Sequence, residues 1–587
     1  MTVTSEPTKA PSKFERLKAE SGHLREPMAS ELTNSSQHFT EAAVQILKFH
    51  GSYQQDNRDN RQKGKEKDWQ MMLRLRSPGG RIPVPLYLAI DELADRLGNG
   101  TLRATTRQTF QMHGIAKGDL KEVIATILRH MGSTLATCGD INRNVMAPAA
   151  PFEAGGYPAA RQLAERINDL LAPKAAEGAY LDIWLDGELS HRIKPNAAVR
   201  KLRESQGLGA VFSGDGGEPL YGDTYLPRKF KIAVTVPGDN SVDLLTQDIG
   251  LVAFSDAKGR LKGCNVYVGG GMGRTHNKEE TFARLADPLG YVAAADVLPL
   301  LQAIVALQRD HGDREQRRHA RMKYLIHDRG IDWFRLELGR YFSSALLPLK
   351  TEPKRKLVDY LGWHRQGNGL WFVGLPVLSG RLQGEIKRGL RELIATYQLD
   401  VRLTPNQDLL LCNIGSSQRS SVRTALEALG FAHPEAPMPL ARHALACPAL
   451  PNCGLAVTEA ERILPDVLDR LDRQLRRLGI DRSVLVRVTG CPNGCARPYM
   501  AEIGLVGTAD GDYQLWLGGC PGLTRLATPY IFRMPLVVLE AILEPLFLGW
   551  RSTGVGTSFG DYVTRLGQDE VWKLLNQGDA ASLPVHP

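Results

Sequence analysis

Four cysteines in the last quarter of the chain form two close pairs, in "CPALPNC" (447–453) and in "CPNGC" (491–495). Such sulfurs could form disulfides, bind a zinc ion, bind an iron–sulfur cluster or pack in a core. Zinc ribbons favour two residues between paired cysteines, whereas the gaps here are five and three. An iron–sulfur cube needs four thiolates around a wider centre, which longer loops can supply. The spacing therefore favours a four-cysteine iron–sulfur cluster and leaves buried thiols and zinc as alternatives.

The stretch between the two cysteine pairs predicts a helix followed by a strand. Apolar residues recur at helical spacing from Ile463 to Leu478, and Thr458 with Glu461 fits a capping box. The run "SVLVRV" (483–488) that follows is typical of a buried strand. A helix packed against this strand would return the two cysteine pairs to one place.

A second group of residues suited to chemistry is cationic and lies in the first half of the chain. The two-residue period of a strand places neighbouring cations on one face in "MMLRLRSPGG", "LRATTRQ" and "YLPRKFKIAV", and "DINRNVMAP" adds another arginine. One such pair is more often a solvated strand face, but several pairs near Gly and Pro turns indicate a pocket for a multiply charged anion. Crowded cations would also lower the pKa of a lysine and let it release a proton. The run 308–323 is more typical of an exposed basic helix face.

The composition limits the classes of protein that these residues can belong to. The chain of 587 residues is too long for one core, and its net charge of +9 with a pI near 9.0 suits nucleic acid, an acidic protein or an anionic small molecule as partner. The N-terminal residues lack the apolar region of a signal peptide, and the apolar segment 534–550 carries Glu540 and Glu544, as a core helix would. We expect a cytoplasmic protein that does not enter a membrane. The four remaining cysteines are scattered singly, and we expect them to pack in cores: Cys138, Cys264, Cys412 and Cys520.

The chain also repeats itself over half its length. Residues 102–115 align with 401–414, 248–254 with 502–508, and 265–271 with 514–520, in the same order in both halves. In each half a predicted helix precedes the alternating strand pattern of the first aligned pair, 102–115 and 401–414. The pattern predicts a duplicated two-domain unit of mixed α+β structure.

These stretches together resemble one family, the sirohaem-containing, ferredoxin-dependent sulfite reductases of the assimilatory sulfite/nitrite reductase superfamily. The residues that carry the resemblance are "KFHGSYQQDNRDNR", "TTRQTFQMHG", "CGDINRNVMAPAAP", "YLPRKFK", "YVGGGMG", "CPALPNC" and "TGCPNGC". The resemblance implies an α+β fold in which each half joins a ferredoxin-like domain to a larger mixed α/β sirohaem-reductase domain. The expected divisions are an N-terminal arm and loop (1–68), ferredoxin-like domains (69–140 and 336–430) and reductase domains (141–335 and 431–587).

The resemblance also implies a set of site residues. The metal ligands of a 4Fe–4S cluster would be Cys447, Cys453, Cys491 and Cys495, and Cys495 would also bond the sirohaem iron. The anion pocket that holds and protonates the substrate would be Arg74, Arg143, Lys229 and Lys231. Sirohaem, which carries eight carboxylates, would be contacted by Arg103, Arg107, Gln111, His113, Arg317, Arg321, Lys323 and Asn493.

The activity that the resemblance implies is the six-electron reduction of sulfite to sulfide with electrons from ferredoxin. Ferredoxin-dependent nitrite reductases are similar but typically have Lys-x-Asn where this chain has "KFK", and the second lysine suits a dianion. A haemoprotein subunit of an NADPH-dependent sulfite reductase is a further alternative. "GGGMGR" lacks a dinucleotide-binding fingerprint, so electrons should come from another protein, and the charge favours an acidic ferredoxin. We expect a monomer, with nucleic-acid binding as a weak, non-specific alternative role.

Overall fold

Two small antiparallel sheets of identical strand order form the ferredoxin-like parts of the protein. The computed structural model describes residues 11–173, 182–185, 188–192 and 218–576. The first sheet has the order β1–β2–β5–β4, and the second repeats it as β12–β13–β16–β15. These strands are Ser52–Asp56 (β1), Trp69–Arg74 (β2), Leu102–Ala104 (β4), Phe110–Ile115 (β5), Gly362–Arg365 (β12), Trp371–Leu375 (β13), Asp400–Leu403 (β15) and Leu409–Ile414 (β16). The repeat predicted from the sequence is therefore a structural repeat.

The two ferredoxin-like sheets exchange their edge strands. The short strand Arg81–Ile82 (β3) of the first half pairs with β15 of the second sheet, and Arg381–Leu382 (β14) of the second half pairs with β4 of the first. One apolar core with side chains from both halves lies between the sheets and their helices. The exchange covers one edge of each sheet, at β4 and at β15, and joins the halves, so neither sheet is complete in a contiguous stretch of sequence.

The two larger domains also share one topology. Parallel strands continue into antiparallel strands in each half, in the orders β8–β9–β10–β11 and β17–β18–β19–β20–β21. The parallel strands are β8 and β9 in the first half and β17, β18 and β19 in the second. These strands are Ile232–Thr235 (β8), Ile249–Ser255 (β9), Leu261–Val268 (β10), Asp287–Ala293 (β11), Leu445–Ala446 (β17), Val486–Thr489 (β18), Ile503–Ala509 (β19), Asp512–Leu517 (β20) and Thr528–Pro535 (β21). A separate hairpin joins Asp182–Leu185 (β6) and Glu188–Arg192 (β7).

Helices cover these sheets and bury their apolar faces. In the first half they are Lys13–Ala19 (α1), Met28–Leu32 (α2), Glu41–Leu47 (α3), Val84–Leu97 (α4), Leu120–Arg129 (α5), Tyr157–Leu170 (α6), Val297–His311 (α7), Met322–Arg329 (α8) and Ile331–Leu338 (α9). In the second half they are Gly384–Tyr397 (α10), Arg419–Ala428 (α11), Leu464–Arg477 (α12), Leu539–Thr553 (α13), Phe559–Leu566 (α14) and Gln568–Leu575 (α15). The apolar segment near the end is the buried helix α13, as expected, and none of the helices in the described ranges could cross a membrane.

The N-terminal arm is folded, and two sequence-based expectations about local structure are wrong. The N-terminal arm contains, from residue 11, three helices and the strand β1, because Leu24, Phe39 and Ile46 are buried in the two neighbouring cores. The predicted capping box does not form. Helix α12 begins at Leu464, and the Thr458 hydroxyl donates to Tyr513 Oη at 3.1 Å instead. The basic run 308–323 is not one exposed helix face, because α7 ends at His311 and the residues after it fold back over the first half.

Candidate active site at Cys495

Parallel pairing of two strands brings the four paired cysteines together. β17 ends at Ala446 and β18 at Thr489, and the register places Ala446 beside Val488. Because parallel strands end at the same edge of a sheet, the loops after them meet. Cys447 follows β17 directly, and Cys491 lies two residues beyond β18. The prediction that helix and strand return both pairs to one place is confirmed.

Hydrogen-bond donors point at the sulfurs of this group. The Gly490 N–H donates to Cys447 Sγ and the Asn493 Nδ2 amide to Cys491 Sγ, each at 3.4 Å. Burial raises the pKa of the Cys447 thiol, and the three other cysteines of the group, each close enough to act on it electrostatically, raise it further. All eight cysteines are free thiols, and the four scattered ones are buried as expected. Among the described residues no three His, Cys, Asp or Glu side chains are gathered as ligands for a single metal ion.

The chemistry of these donors fits an iron–sulfur cluster. The four thiols come from two loops, and three of them lie close enough to Cys447 to raise its pKa. A backbone N–H and an amide N–H already donate to two of the sulfurs, as such groups do around clusters that are bound by cysteine thiolates. Cys447 and Cys491 are buried, Cys453 is partly exposed, and Cys495 is the exposed member of the group.

The exposed thiol Cys495 faces a small polar cavity that also contains two of the predicted substrate-binding lysines. Both halves of the chain supply its walls. The lining residues are Thr106, Arg107, Lys229, Lys231, Thr246, Gln247, Met272, Gly273, Arg321, Asn493, Gly494, Cys495 and Arg497. The first half thus supplies Arg107, Lys229, Lys231 and Arg321 to the lining, and the second half supplies Cys495 and Arg497.

The extended chain before β8 explains why both lysines reach this cavity. Phe230 is buried between them, and the alternation of an extended strand directs Lys229 and Lys231 to the opposite side. The Lys231 N–H donates to Asp248 Oδ2 at 2.9 Å and its carbonyl accepts from the Ile249 N–H, which fixes the segment to β9.

Crowding of positive charge makes these lysines unusual acids. Burial lowers the pKa of Lys229 to about 7, and the neighbouring guanidinium groups of Arg228 and Arg143 lower it further. The pKa of Lys231 is also well below its usual value, because of burial and the charges of Arg107 and Lys229. A lysine with a pKa near neutrality can give up its proton during a reaction.

The two predicted arginines of the anion pocket do not line this cavity, but both are close enough to Arg107 in its lining to lower the pKa of that residue. Arg74 ends β2 and its Nη1 donates to Cys138 Sγ at 3.4 Å, while Arg143 donates to the Gly139 carbonyl at 3.1 Å. Burial acts against the charge on Arg143, but the Tyr53 hydroxyl and the Cys138 thiol beside it outweigh burial and raise its pKa. Arg76, which the sequence placed on one strand face with Arg74, instead binds Asn168 of α6.

Three of the predicted sirohaem contacts, Arg103, Arg317 and Arg321, already bind carboxylates of the protein. Arg103 Nε donates to Glu461 at 2.8 Å, and Arg317 donates two hydrogen bonds to the Asp140 carboxylate, at 2.5 and 3.1 Å. A cofactor carboxylate at either arginine would share the guanidinium with this partner.

Arg321 and Lys323 flank the start of α8 and shape the glycine loop after β10. Arg321 donates to Asp248 at 2.6 Å, and the fully buried Lys323 ammonium donates to the carbonyls of Gly271, Gly273 and Phe282. Arg321 also lines the cavity. Lys323 therefore binds backbone carbonyls and stabilises the glycine loop after β10.

Four of the predicted contacts each have one buried polar atom without a hydrogen-bond partner in the protein. These are Arg107 Nε, Gln111 Oε1, His113 Nε2 and Arg321 Nε. Buried polar groups are normally satisfied, and Arg107 and Arg321 line the cavity, so their unsatisfied donors indicate a missing polar occupant there. Arginine donors suit the carboxylates of sirohaem, and these residues fit that group.

Sequence reasoning missed an ion pair that ties the two halves together behind Cys495. Arg497 pairs with Asp243 and donates to the carbonyls of Thr106 and Pro405 at 3.3 and 3.2 Å. Asp243 also accepts from the buried Arg487 at 3.1 Å. Arg497 and Asp243 both have left-handed φ angles and occupy equivalent positions before short 3-10 helices, so they mark the axis that relates the halves. The "GCARP" motif places Arg497 two residues after Cys495 in the sequence, but no local pattern indicated that its partner is Asp243.

The equivalent position in the second half has lost the cations. Leu485 donates its N–H to Glu502 at 2.9 Å, just as Lys231 does to Asp248, so Leu485 stands where Lys231 stands. Asn406, which aligns with Arg107, binds Asp408 and the Arg442 carbonyl. The duplicated fold thus retains the cationic cavity in one half.

Comparison with known proteins identifies the class to which this fold and site belong. The family model for the nitrite and sulphite reductase 4Fe-4S domain matches residues 167–346 and 438–577, and that for the nitrite/sulfite reductase ferredoxin-like half domain matches 62–130 and 364–429. The chain therefore belongs to the nitrite and sulfite reductase family, with both domain types present twice.

Individual relatives resemble the chain over nearly its whole length. A protein of Synechococcus elongatus named "Sulfite reductase (ferredoxin)" is 56% identical over 97% of this chain and 91% of its own. The "Sulfite reductase (NADPH) hemoprotein beta-component" of Myxococcus xanthus is 41% identical over 95% of this chain and 96% of its own. The solved structure of the Mycobacterium tuberculosis NirA protein has the same fold, with a TM-score of 0.73 and 23% identity, and covers 96% of this chain and 98% of its own.

Proposed function

We propose that this protein is an assimilatory sulfite reductase that carries out the six-electron reduction of sulfite to sulfide, with sirohaem and a 4Fe–4S cluster as cofactors and reduced ferredoxin as electron donor. The observation that carries the proposal is a single cavity whose lining includes Cys495 of the cysteine group together with Lys229 and Lys231. This reaction requires a thiol that binds the cluster and, in the same cavity, a positively charged pocket that binds the anionic substrate.

The residues of the cavity bind and orient the substrate. Lys229 and Lys231, with Arg74 and Arg143 beside them, provide the positive charge that holds a sulfite dianion and stabilises negative charge as its bonds break. When bound, the sirohaem iron and the cluster supply a position for the sulfite sulfur and a route for single electrons. Cys447, Cys453, Cys491 and Cys495 would hold the cluster, and Cys495 would also hold the iron.

The same cations supply protons. Sulfite loses three oxygens as water, which takes six electrons and six protons to leave the sulfide ion. Lys229, whose pKa of about 7 lies close to neutral pH, is suited to donate protons to a departing oxygen and to be reprotonated between steps. Lys231, with its lowered pKa, acts beside it.

Two observations support ferredoxin as the donor. The relative from Synechococcus elongatus with 56% identity carries ferredoxin in its name, whereas the relatives named for NADPH are 40–41% identical. The net charge of +9 favours encounter with an acidic protein. The alternative is the haemoprotein of an NADPH-dependent enzyme. A comparison of electron donors distinguishes the two functions.

We further propose the five-part division at residues 68, 140, 335 and 430, a cytoplasmic location and action as a monomer. Any binding of nucleic acid would be weak and non-specific, driven by the net positive charge.

The direct test is product analysis with the purified holoenzyme. With reduced methyl viologen as donor, we expect sulfite to yield sulfide at about six electrons consumed for each sulfide formed. Nitrite serves as the comparison substrate, because slow nitrite reduction is compatible with the proposal. A protein that reduces nitrite to ammonia and leaves sulfite unchanged would contradict it.

A further inference from the structure

A second cavity lies where the duplication places the counterpart of the cavity at Cys495. Leu485, which stands where Lys231 stands, lines it. Gly522 lines it as Gly273 lines the first cavity, and each glycine lies two residues beyond the last aligned segment of its half. We term this space, which has a volume of about 560 Å³, the second-half cavity. The fold thus forms a cavity at this place in both halves, and the second has lost the lysines that come from the strand.

The segment that connects the two halves supplies other cations to the second-half cavity. Lys354, Arg355 and Lys356 lie on this segment, between α9 and β12, and all three line the cavity. The Lys356 N–H donates to the Gly238 carbonyl at 2.9 Å, and the Lys356 carbonyl accepts from the Asn240 N–H at 2.8 Å. These bonds hold the backbone of the segment in place beside the cavity.

Carboxylates of the protein balance only part of this positive charge. Arg355 pairs with Glu352 at 2.9 Å, and Arg525, which also lines the cavity, pairs with Asp561 at 2.8 Å. Within the described ranges of the chain, neither lysine of the connecting segment forms an ion pair. Two ammonium groups at the cavity are therefore available to an anionic ligand.

The rest of the lining is mostly uncharged. Glu502 accepts from the N–H groups of Leu485 and Gly560 at 2.9 and 2.8 Å, and burial raises its pKa. Burial lowers the pKa of His443 to about 4, and its Nδ1 atom has no hydrogen-bond partner in the described part of the protein. The apolar lining residues are Leu357, Pro439, Leu440, Val484, Leu485 and Pro521.

We propose that the second-half cavity binds a small organic anion that carries two or more negative charges on carboxylate or phosphate groups. Lys354 and Lys356 bind the charged groups, His443 supplies a hydrogen bond, and the apolar residues contact the carbon skeleton. The volume lies within the range of about 300–1,000 Å³ that is typical of ligand pockets. The site is separate from the cavity at Cys495, because the two share no lining residue. It adds a ligand site to the proposed function and does not depend on that function.

The test measures binding of two probes to the purified holoenzyme by calorimetry at low salt. Tricarballylate probes for carboxylate recognition and AMP for phosphate recognition. K354E/K356E alters the second-half cavity, and K121E/K258E makes the same change in net charge at exposed lysines on α5 and on the turn between β9 and β10. We expect the wild type and K121E/K258E to bind at least one probe equally well and K354E/K356E to bind it at least about tenfold more weakly. The probe that binds more tightly identifies the charged group.

Cys520 supplies a second readout, because its thiol lines the second-half cavity. It is 8% exposed, whereas the three other scattered cysteines are 0–1% exposed. N-ethylmaleimide, an uncharged reagent, should label Cys520, and a bound probe should slow this labelling more than sodium chloride does at the same ionic strength. Mass spectrometry of the labelled peptide measures the rate.

Four results would overturn the proposal. The first is that the wild-type protein binds neither probe, and the second is that both double variants bind the probe equally well. The third is that neither probe slows the labelling of Cys520. The fourth is that Cys520 is not labelled at all, because the cavity would then not admit a small molecule.

Discussion

Two lysines, Lys229 and Lys231, supply the positive charge next to Cys495, and their spacing determines what the cavity can bind. The alternation of an extended segment puts both on one side, with Phe230 buried on the other. Both have lowered pKa values because they are buried among other cations. An anion with two charges would relieve this repulsion more than an anion with one.

Replacing Lys231 with Asn should shift selectivity from sulfite to nitrite. The change removes one positive charge from the cavity and copies the pattern typical of nitrite reductases. We expect the ratio of sulfite to nitrite turnover to fall at least about tenfold, which corresponds to about 1.4 kcal/mol of transition-state discrimination. Steady-state rates with a dye donor measure both activities, and an unchanged ratio would remove Lys231 from the selectivity residues.

Replacing Cys495 with Ser should abolish sulfite reduction. The oxygen of serine is a poorer ligand for iron, and the proposed role of this sulfur serves cluster and haem together. We expect the variant to lose the cluster signal and the spectroscopic coupling between the two metal centres, with activity at background. Cys264→Ser, a change at a buried cysteine on β10, is the control and should retain both. A normal spectrum and rate in Cys495→Ser would exclude the shared ligand.

At the scale of elements, the parallel pairing of β17 and β18 is what converts two separate motifs into one site. Each cysteine pair follows its strand within a few residues, so the motifs and the helix between them predicted the meeting point from sequence alone. The ion pairs around the site could not be predicted. Glu461, read as part of a capping box, holds Arg103 and Arg381, and the residues in these pairs lie far apart along the chain without any local pattern.

The turn between β15 and β16 contains a carboxyl whose ionisation opposes folding. Asp408 accepts from Asn406 Nδ2 at 3.0 Å and from the Val377 N–H at 3.2 Å, yet burial raises its pKa to about 7. The unfolded chain releases this proton near pH 4, so the folded protein binds more protons between about pH 4 and pH 7 and loses stability as pH rises through that window.

Asp408→Asn should therefore stabilise the protein increasingly as pH rises. The gain in Tm over the wild type should be small near pH 4.5 and reach its full size near pH 7, corresponding to on the order of a few kcal/mol. Thermal unfolding followed across this pH range measures it. Asp256→Asn is the control, because hydrogen bonds from Arg260 lower the pKa of Asp256 and its loss should not produce a rising gain. A gain in Asp408→Asn that is independent of pH would contradict the assignment.

At the scale of the whole molecule, duplication produced two similar halves that have since divided their roles. The aligned segments of the sequence predicted the repeat, and strand order confirms it. The exchange of β3 and β14 between the sheets was not predictable, because strands of two residues carry no periodic signal. The Arg497–Asp243 pair on the axis between the halves depends on the same non-local geometry.

The net charge of the molecule predicts how its rate depends on salt. Opposite charges speed the encounter of transient partners, and the Debye length shrinks from about 10 Å at 0.1 M to about 3 Å at 1 M ionic strength. Ferredoxin-driven sulfite reduction should therefore fall steeply as salt is added, while dye-driven reduction changes little. An ionic-strength series with both donors measures this, and parallel curves would argue against a charge-guided protein donor.

The measurement that tests the central claim most directly is metal and sulfide analysis of the purified protein together with its absorption spectrum. One 4Fe–4S cluster and one sirohaem in a chain predict about five iron atoms and about four labile sulfides per chain, with Soret and visible bands that shift when sulfite is added. A zinc-containing protein, or an iron–sulfur protein whose spectrum lacks haem bands, would contradict the assignment of Cys447, Cys453, Cys491 and Cys495 and the cavity built around them.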